Sequence, residues 1–158
     1  MAGEIRSYED LEVWQRGIDL AVRVYDVAGM LPSSERYEMS SQLRRAAVSI
    51  PSNIAEGHAR RQPKPFLYHV HIALGSLAET VTCLIVAQRV GFISLERLHQ
   101  ERRETDTLGR MLNGLARSLE ERIETQLRSE PRRPSGHVST LAFGLIVGAL
   151  AGRFLALF

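Results

Sequence analysis

A chain of 158 residues is about one domain long, and an apolar content of 44% is ordinary for a soluble globular protein with a core that needs no disulfide or metal. Aromatic residues make up 6%, with Trp14 the single tryptophan, which disfavours strand-rich folds. The net charge is only +2, but Lys64 is the one lysine among 20 basic residues, so nearly all the positive charge is guanidinium. Arginine suits bidentate phosphate contacts; codon bias in a GC-rich genome gives the same composition. Cys83 stands alone, which excludes an intrachain disulfide and fits a cytosolic chain with a packed core thiol. Residues 1–10 are polar and acidic and lack the basic start and apolar run of a secretory signal.

Spacings of three and four predict helices throughout. Over residues 8–30, Leu11, Trp14, Ile18, Ala21, Tyr25 and Ala28 give one apolar stripe, ended by Gly29 and Pro32. Ser33 or Ser34 is then placed to cap a second helix over residues 35–59, with Glu35 and Glu38 in its first turns. Its stripe is Met39, Leu43, Ala46, Ala47, Ile50 and Ile54. Pro51 inside the pattern predicts a kink near Val48, with Ser49, Ser52 and Asn53 at hand for the freed backbone groups. Gly57 marks the end, before a basic loop with Arg60, Arg61, Pro63 and Pro65.

The third helix is expected over residues 65–90 through Phe66, Val70, Leu74, Leu77, Val81, Leu84 and Gln88, with Gly91 as its stop. Gly75, Ser76 and Ala78 in it permit close helix approach. Ser94 is the expected cap of a fourth helix that runs to about residue 128 along Leu98, Leu108, Met111, Leu112, Leu115, Leu119, Ile123 and Leu127. Its charged runs, Glu101 to Glu104 among them, are expected to be solvated faces. The fold class is therefore all-α: an up-down-up-down antiparallel four-helix bundle over residues 1–128.

Residues 129–137, rich in proline and arginine, read as a linker. An additional hydrophobic C-terminal helix is expected over residues 138–158. The run from Ser139 to Phe158 is long enough to cross a bilayer, and Gly144, Gly148 and Gly152 form two overlapping small-xxx-small motifs for tail self-association. Arg128, Arg132 and Arg133 before it would keep the bundle cytoplasmic. A fifth helix packed on the bundle, in a ring lumen or in a partner protein is the soluble alternative.

The block Gln42-Leu43-Arg44-Arg45-Ala46-Ala47-Val48-Ser49-Ile50-Pro51-Ser52-Asn53-Ile54-Ala55-Glu56-Gly57 resembles the signature of the four-helix-bundle family that includes proteins encoded in 23S rRNA intervening sequences. In order around it stand Tyr8-Glu9-Asp10-Leu11-Glu12-Val13-Trp14-Gln15, Tyr25, Pro32 with Glu35-Arg36-Tyr37, Arg60, Tyr68 and Ala73-Leu74-Gly75-Ser76-Leu77-Ala78-Glu79. The resemblance implies a bundle that assembles as a homo-oligomeric ring, commonly a pentamer. It also implies kinship with the accessory variability determinant of diversity-generating retroelements, which works beside a reverse transcriptase and nucleic acid. RNA or DNA, a reverse transcriptase and further copies of the chain are the implied partners. The modest net charge and the tail depart from the family pattern.

Arg44 and Arg45 flank the second stripe, and Arg60 and Arg61 follow its end, so four guanidiniums near one element suit phosphate contact. The ordinary alternative pairs Arg44 or Arg45 with Glu56, Glu79 or a neighbouring subunit and sets Arg60 and Arg61 against a helix C-terminus. No aromatic residue interleaves with these arginines in sequence, so base stacking is not expected there. Asn53, Glu56 and Glu79 are read as structural polar groups, the first two as acceptors for unpaired backbone N–H groups expected just after the Pro51 break. Glu96 and His99 make one Glu-x-x-His where a di-iron bundle needs two, and His69 and His71 cannot share a helix face. Phosphate-loop, dinucleotide and nucleophile-elbow motifs are absent, so neither metal, cofactor nor enzymatic activity is expected.

Overall fold

The structure, a computed structural model, describes residues 6–129. The linker beyond Ser129, the hydrophobic tail and its glycines Gly144, Gly148 and Gly152 lie outside the described residues. Within them run four long helices and no strand: α1 Glu12–Met30, α2 Met39–Ala59, α3 Pro63–Arg89 and α4 Leu95–Ser129. They bury one continuous apolar core as a four-helix bundle.

Two helices start later than their periodicity suggests, because local side chains hold the chain in another conformation first. Ahead of α1, the Asp10 carboxylate accepts the N–H groups of Arg6 and Ser7 at 2.8 and 2.9 Å, and Ser7 Oγ accepts that of Glu9 at 3.0 Å. This box closes a single 3-10 turn, Tyr8–Asp10, and Leu11 then becomes extended. Ahead of α2, Glu35 belongs to a second 3-10 turn, Ser33–Glu35, and Glu38 rather than a serine stands at the helix entry, with no side-chain cap.

The α1 register is also corrected. The buried stripe is Val13, Gly17, Leu20, Ala21, Val24, Val27 and Ala28, whereas Ile18 and Tyr25, expected inside, are 37% and 50% exposed. The helix carries more apolar residues than one face can bury, and Ile18, Val22 and Tyr25 form a second, outer stripe. In α2 the expected stripe is buried from Leu43 to Ile54.

Helix α2 runs unbroken through Pro51, whose ring is buried against α1. Gly17 makes room for it: a Cβ there would lie 3.4 Å from Pro51 Cβ. Ser52 Oγ donates to the Val48 carbonyl and Asn53 Nδ2 to that of Ser49, each at 2.9 Å. Neither serves the Ala47 carbonyl, the one that Pro51 leaves without its helical donor. Pro63 opens α3 at its first turn, two residues before the expected start, where a missing N–H costs nothing. At its far end Gly91 adopts φ +82 and donates to Gln88 O at 3.0 Å, while Phe92 N–H reaches Ala87 O at 2.8 Å. That pair of bonds is a Schellman stop, which the glycine alone makes cheap. Ser94 caps α4 as expected, accepting the Arg97 N–H at 3.1 Å.

Glu101, expected in a solvated run, has no exposed surface. Arg23 of α1 grips its carboxylate with two hydrogen bonds, 2.9 Å from Nε and 3.2 Å from Nη2, and Arg97 Nε approaches at 2.8 Å from one turn back. The hydrogen bond that Arg23 donates to Glu101, ahead of that carboxylate's charge, pushes the Arg23 guanidinium pKa further up. A buried carboxylate is tolerable only when so paired. Burial, then the nearby Glu79 charge, pushes the pKa of the half-buried Cys83 thiol up.

Two stability tests follow from this packing. Glu101→Gln leaves two guanidiniums facing a neutral amide; because both arginines are partly open to water, we expect a loss of about 2 kcal/mol rather than the full cost of breaking a buried pair. An unchanged urea midpoint would show that the triad is not stabilising. Gly57→Ala drives a Cβ to 2.5 Å from Phe66 Cδ2 and 2.8 Å from His69 Cβ, whereas Gly75→Ala meets nothing within 4 Å. The first is expected to destabilise by about 1–2 kcal/mol, and the second to stabilise by roughly 0.5 kcal/mol, in paired thermal melts.

Candidate nucleic-acid interface

Arg44 and Arg45 leave α2 near its N-terminal end, where the chain has just crossed over from α1. The Arg44 guanidinium lies over the ring of Tyr25 of α1, 5.3 Å from its centroid. Its Nε is shielded from solvent and has no hydrogen-bond partner. Two adjoining clefts open beside it. One, about 440 Å³, is bounded by Tyr25, Arg36, Tyr37, Ser41, Arg44 and Arg45. The other, about 250 Å³, is bounded by Ser33, Arg36, Ser40 and Arg44 together with the end of α1. Arg36 and Arg44 therefore face both.

The three arginines differ in how they are engaged. Arg45 donates to Ser41 Oγ and Gln42 Oε1, and Gln42 in turn donates to Glu79 of α3. Neither Arg36 nor Arg44 makes an ion pair within the described residues. The pairing of Arg44 or Arg45 with Glu56 or Glu79 expected as the ordinary alternative is thus absent; Glu79 reaches Arg45 only through Gln42.

Arg60 and Arg61 are at the other end of α2. Sixteen residues of helix separate Arg44 from Arg60, about 24 Å of rise. Arg60 is the C-cap of α2, and Arg61 turns the chain with φ 55. Arg61 lines a separate cleft of about 160 Å³ with His58, Phe66 and Arg122. The four arginines singled out in sequence belong to two places.

The structural polar residues join α2 to α3. Asn53 Oδ1 meets His69 Nδ1 at 3.1 Å, Glu56 lies 3.8 Å from the same nitrogen, and Ser49 Oγ meets Ser76 Oγ at 2.8 Å. Asn53 and Glu56 therefore face a histidine on the neighbouring helix, not free backbone N–H groups as expected. His71 points elsewhere, into the α3–α4 groove beside Arg110 and Arg117. Among the described residues no three His, Cys, Asp or Glu side chains gather as metal ligands.

Sequence reasoning missed Arg36, Tyr37 and the outward turn of Tyr25. Tyr37 is 83% exposed, so aromatic rings do flank the arginines, contrary to expectation. The rings come from α1 and from the connection, and only folding brings them to Arg44. The available signal was the Arg36-Tyr37 pair directly ahead of α2.

Comparison with known proteins bears on the whole bundle. A crystal structure of a protein of unknown function from the S23 ribosomal protein family of Bacteroides thetaiotaomicron VPI-5482 is 24% identical in sequence. The match covers 66% of this chain and 97% of that one with a TM-score of 0.62, a likeness of fold. No curated protein sequence matches. The model of the family described as 23S rRNA-intervening sequence protein matches residues 9–114, from the turn before α1 well into α4. That span is more than half of the chain, which therefore belongs to the 23S rRNA-intervening sequence protein family.

Proposed function

We propose that the chain is a non-enzymatic, self-associating helical bundle that binds nucleic acid, in the manner of an accessory to a nucleic-acid enzyme such as a reverse transcriptase. The helices would run in up-down-up-down order, which connections as short as residues 60–62 favour. The observation that carries the binding reading is the pair Arg36 and Arg44. Both face the same two clefts, and neither makes an ion pair among the described residues. A phosphate oxygen accepts charge-assisted hydrogen bonds from guanidiniums placed in this way. By contrast, Ser49, Asn53, His69 and Ser76 are engaged in linking α2 to α3 and offer no poised nucleophile.

Labelled nucleic acid titrated with purified protein in low salt should bind, and log affinity should fall linearly with log salt. Arg44→Gln and Arg36→Gln should each weaken binding and flatten that slope by roughly one phosphate contact. Absence of binding to RNA and DNA alike near 50 mM salt would remove the proposal.

Self-association is supported by the outer stripe of α1, where Ile18 and Val22 stand exposed one turn apart, while Tyr25 further along borders the arginine cleft. Each copy presents the same strip, and apolar side chains gain by leaving water. The double substitution Ile18→Glu and Val22→Glu should shift the protein to a smaller species in size-exclusion chromatography with light scattering. An unaltered mass would place the contact elsewhere.

A further inference from the structure

The kind of strand is legible at the same clefts, and the inference rests on the binding reading above. We propose that the site takes single-stranded nucleic acid, with a phosphate between Arg36 and Arg44 and an unpaired base against Tyr37.

Three observations converge on this. First, Tyr37 projects from the α1–α2 connection with 83% of its surface exposed, and it packs on no other ring among the described residues. A large apolar ring held out beside two arginines is a stacking platform, and the contact needs a free base face. A duplex keeps its base faces stacked inside and offers only edges and backbone. Second, the clefts are notches of about 440 and 250 Å³, the scale of small-ligand sites. They suit one or two splayed nucleotides better than the broad face of a double helix. Third, the free charge is small. The chain carries 20 basic against 18 acidic residues, and the cations at this site are three, Arg36, Arg44 and Arg45, the last already held by Ser41 and Gln42. Phosphate contact alone is a thin source of affinity with so few cations, so stacking must supply much of the rest.

Arg44 ties the two halves together. Its guanidinium already lies over the ring of Tyr25, and the residue borders both clefts together with Arg36. The phosphate thus meets a positioned arginine, and the base meets the ring six positions from the start of the same connection. Ser33 and Ser40 border the smaller cleft and add hydroxyl donors for phosphate oxygens.

The test uses the full chain and a fluorescein-labelled twelve-nucleotide strand of mixed sequence, alone and annealed to its complement, read by fluorescence anisotropy. The single strand should bind at least about tenfold more tightly than the duplex. Its salt slope should be shallow, about −1.4 for two phosphate contacts, one at each arginine, at roughly 0.7 each. Tyr37→Ala should weaken the single strand by roughly tenfold, with duplex binding unmoved, and Tyr37→Phe should restore it. Because Tyr37 is almost wholly exposed, neither change threatens the fold. Duplex bound as well as single strand, or Tyr37→Ala without effect, would overturn the strand assignment while leaving nucleic-acid binding intact. Loss of the oligomer in Tyr37→Ala would show a protein–protein contact at this ring and overturn it as well. No binding of either probe would end this inference and the reading beneath it together.

Discussion

Two helices approach closely only where the facing side chains are small, and α2 meets that condition on two sides. Toward α1 it turns Ser40 and Pro51, the one donating to Ala28 O at 3.1 Å and the other lying against Gly17. Toward α3 it turns Ser49 and Gly57, against Ser76 and beneath Phe66 and His69. The backbone of α2 comes near both neighbours, and α4 stands further off on its long leucines. The surface follows from this. An α2 gripped from both sides cannot roll, so Arg44 is held over Tyr25 and the α1–α2 connection is left to carry Arg36 and Tyr37 outward.

The fourth helix solves a different problem. With fewer close backbone contacts, its sliding and rotation are opposed mainly by side chains such as Leu108, Leu112 and Leu119, which are interchangeable knobs. Apolar contacts of this sort tolerate a shift of one turn better than a buried ion cluster does. Arg97 moves with α4 but Arg23 on α1 does not, so a displaced α4 would cost the buried Glu101 carboxylate its cross-helix partner. The triad thus selects one alignment of α4 on α1. In energy it adds little over a hydrophobic replacement; in register it excludes alternatives.

Local pattern sufficed for most of the bundle. The stripe of α2, the glycine stop after α3 and the serine cap of α4 are all decided within one or two turns of chain, and each is legible in sequence. Pairwise tertiary facts were not. In α1 the spacings of the helix admit Ile18 and Tyr25 to the inner stripe beside Ala21 and Ala28, and only packing in the bundle chooses Val13, Leu20 and Val24 instead. Glu101 looks like any surface glutamate until Arg23, 78 positions away, folds onto it. For the same reason Arg44 and Arg45 were found and Tyr37 was not. Guanidiniums advertise themselves in sequence, whereas a stacking ring becomes one only by being left outside the core.

The outer α1 stripe and the arginine clefts have a joint consequence. A site with so few cations and one platform ring would bind a strand weakly as a single unit, at low salt and at physiological salt alike, because few phosphate contacts also mean a shallow salt dependence. If copies associate through Ile18 and Val22, the same clefts recur at fixed spacings around the assembly. A strand held by one copy then meets the next at an effective concentration far above that in solution, and affinities multiply without new contacts. The surplus apolar face on α1, which costs solubility in a lone bundle, becomes intelligible on that view. Self-association would turn a notch too poor in charge to act alone into an array able to hold an extended strand.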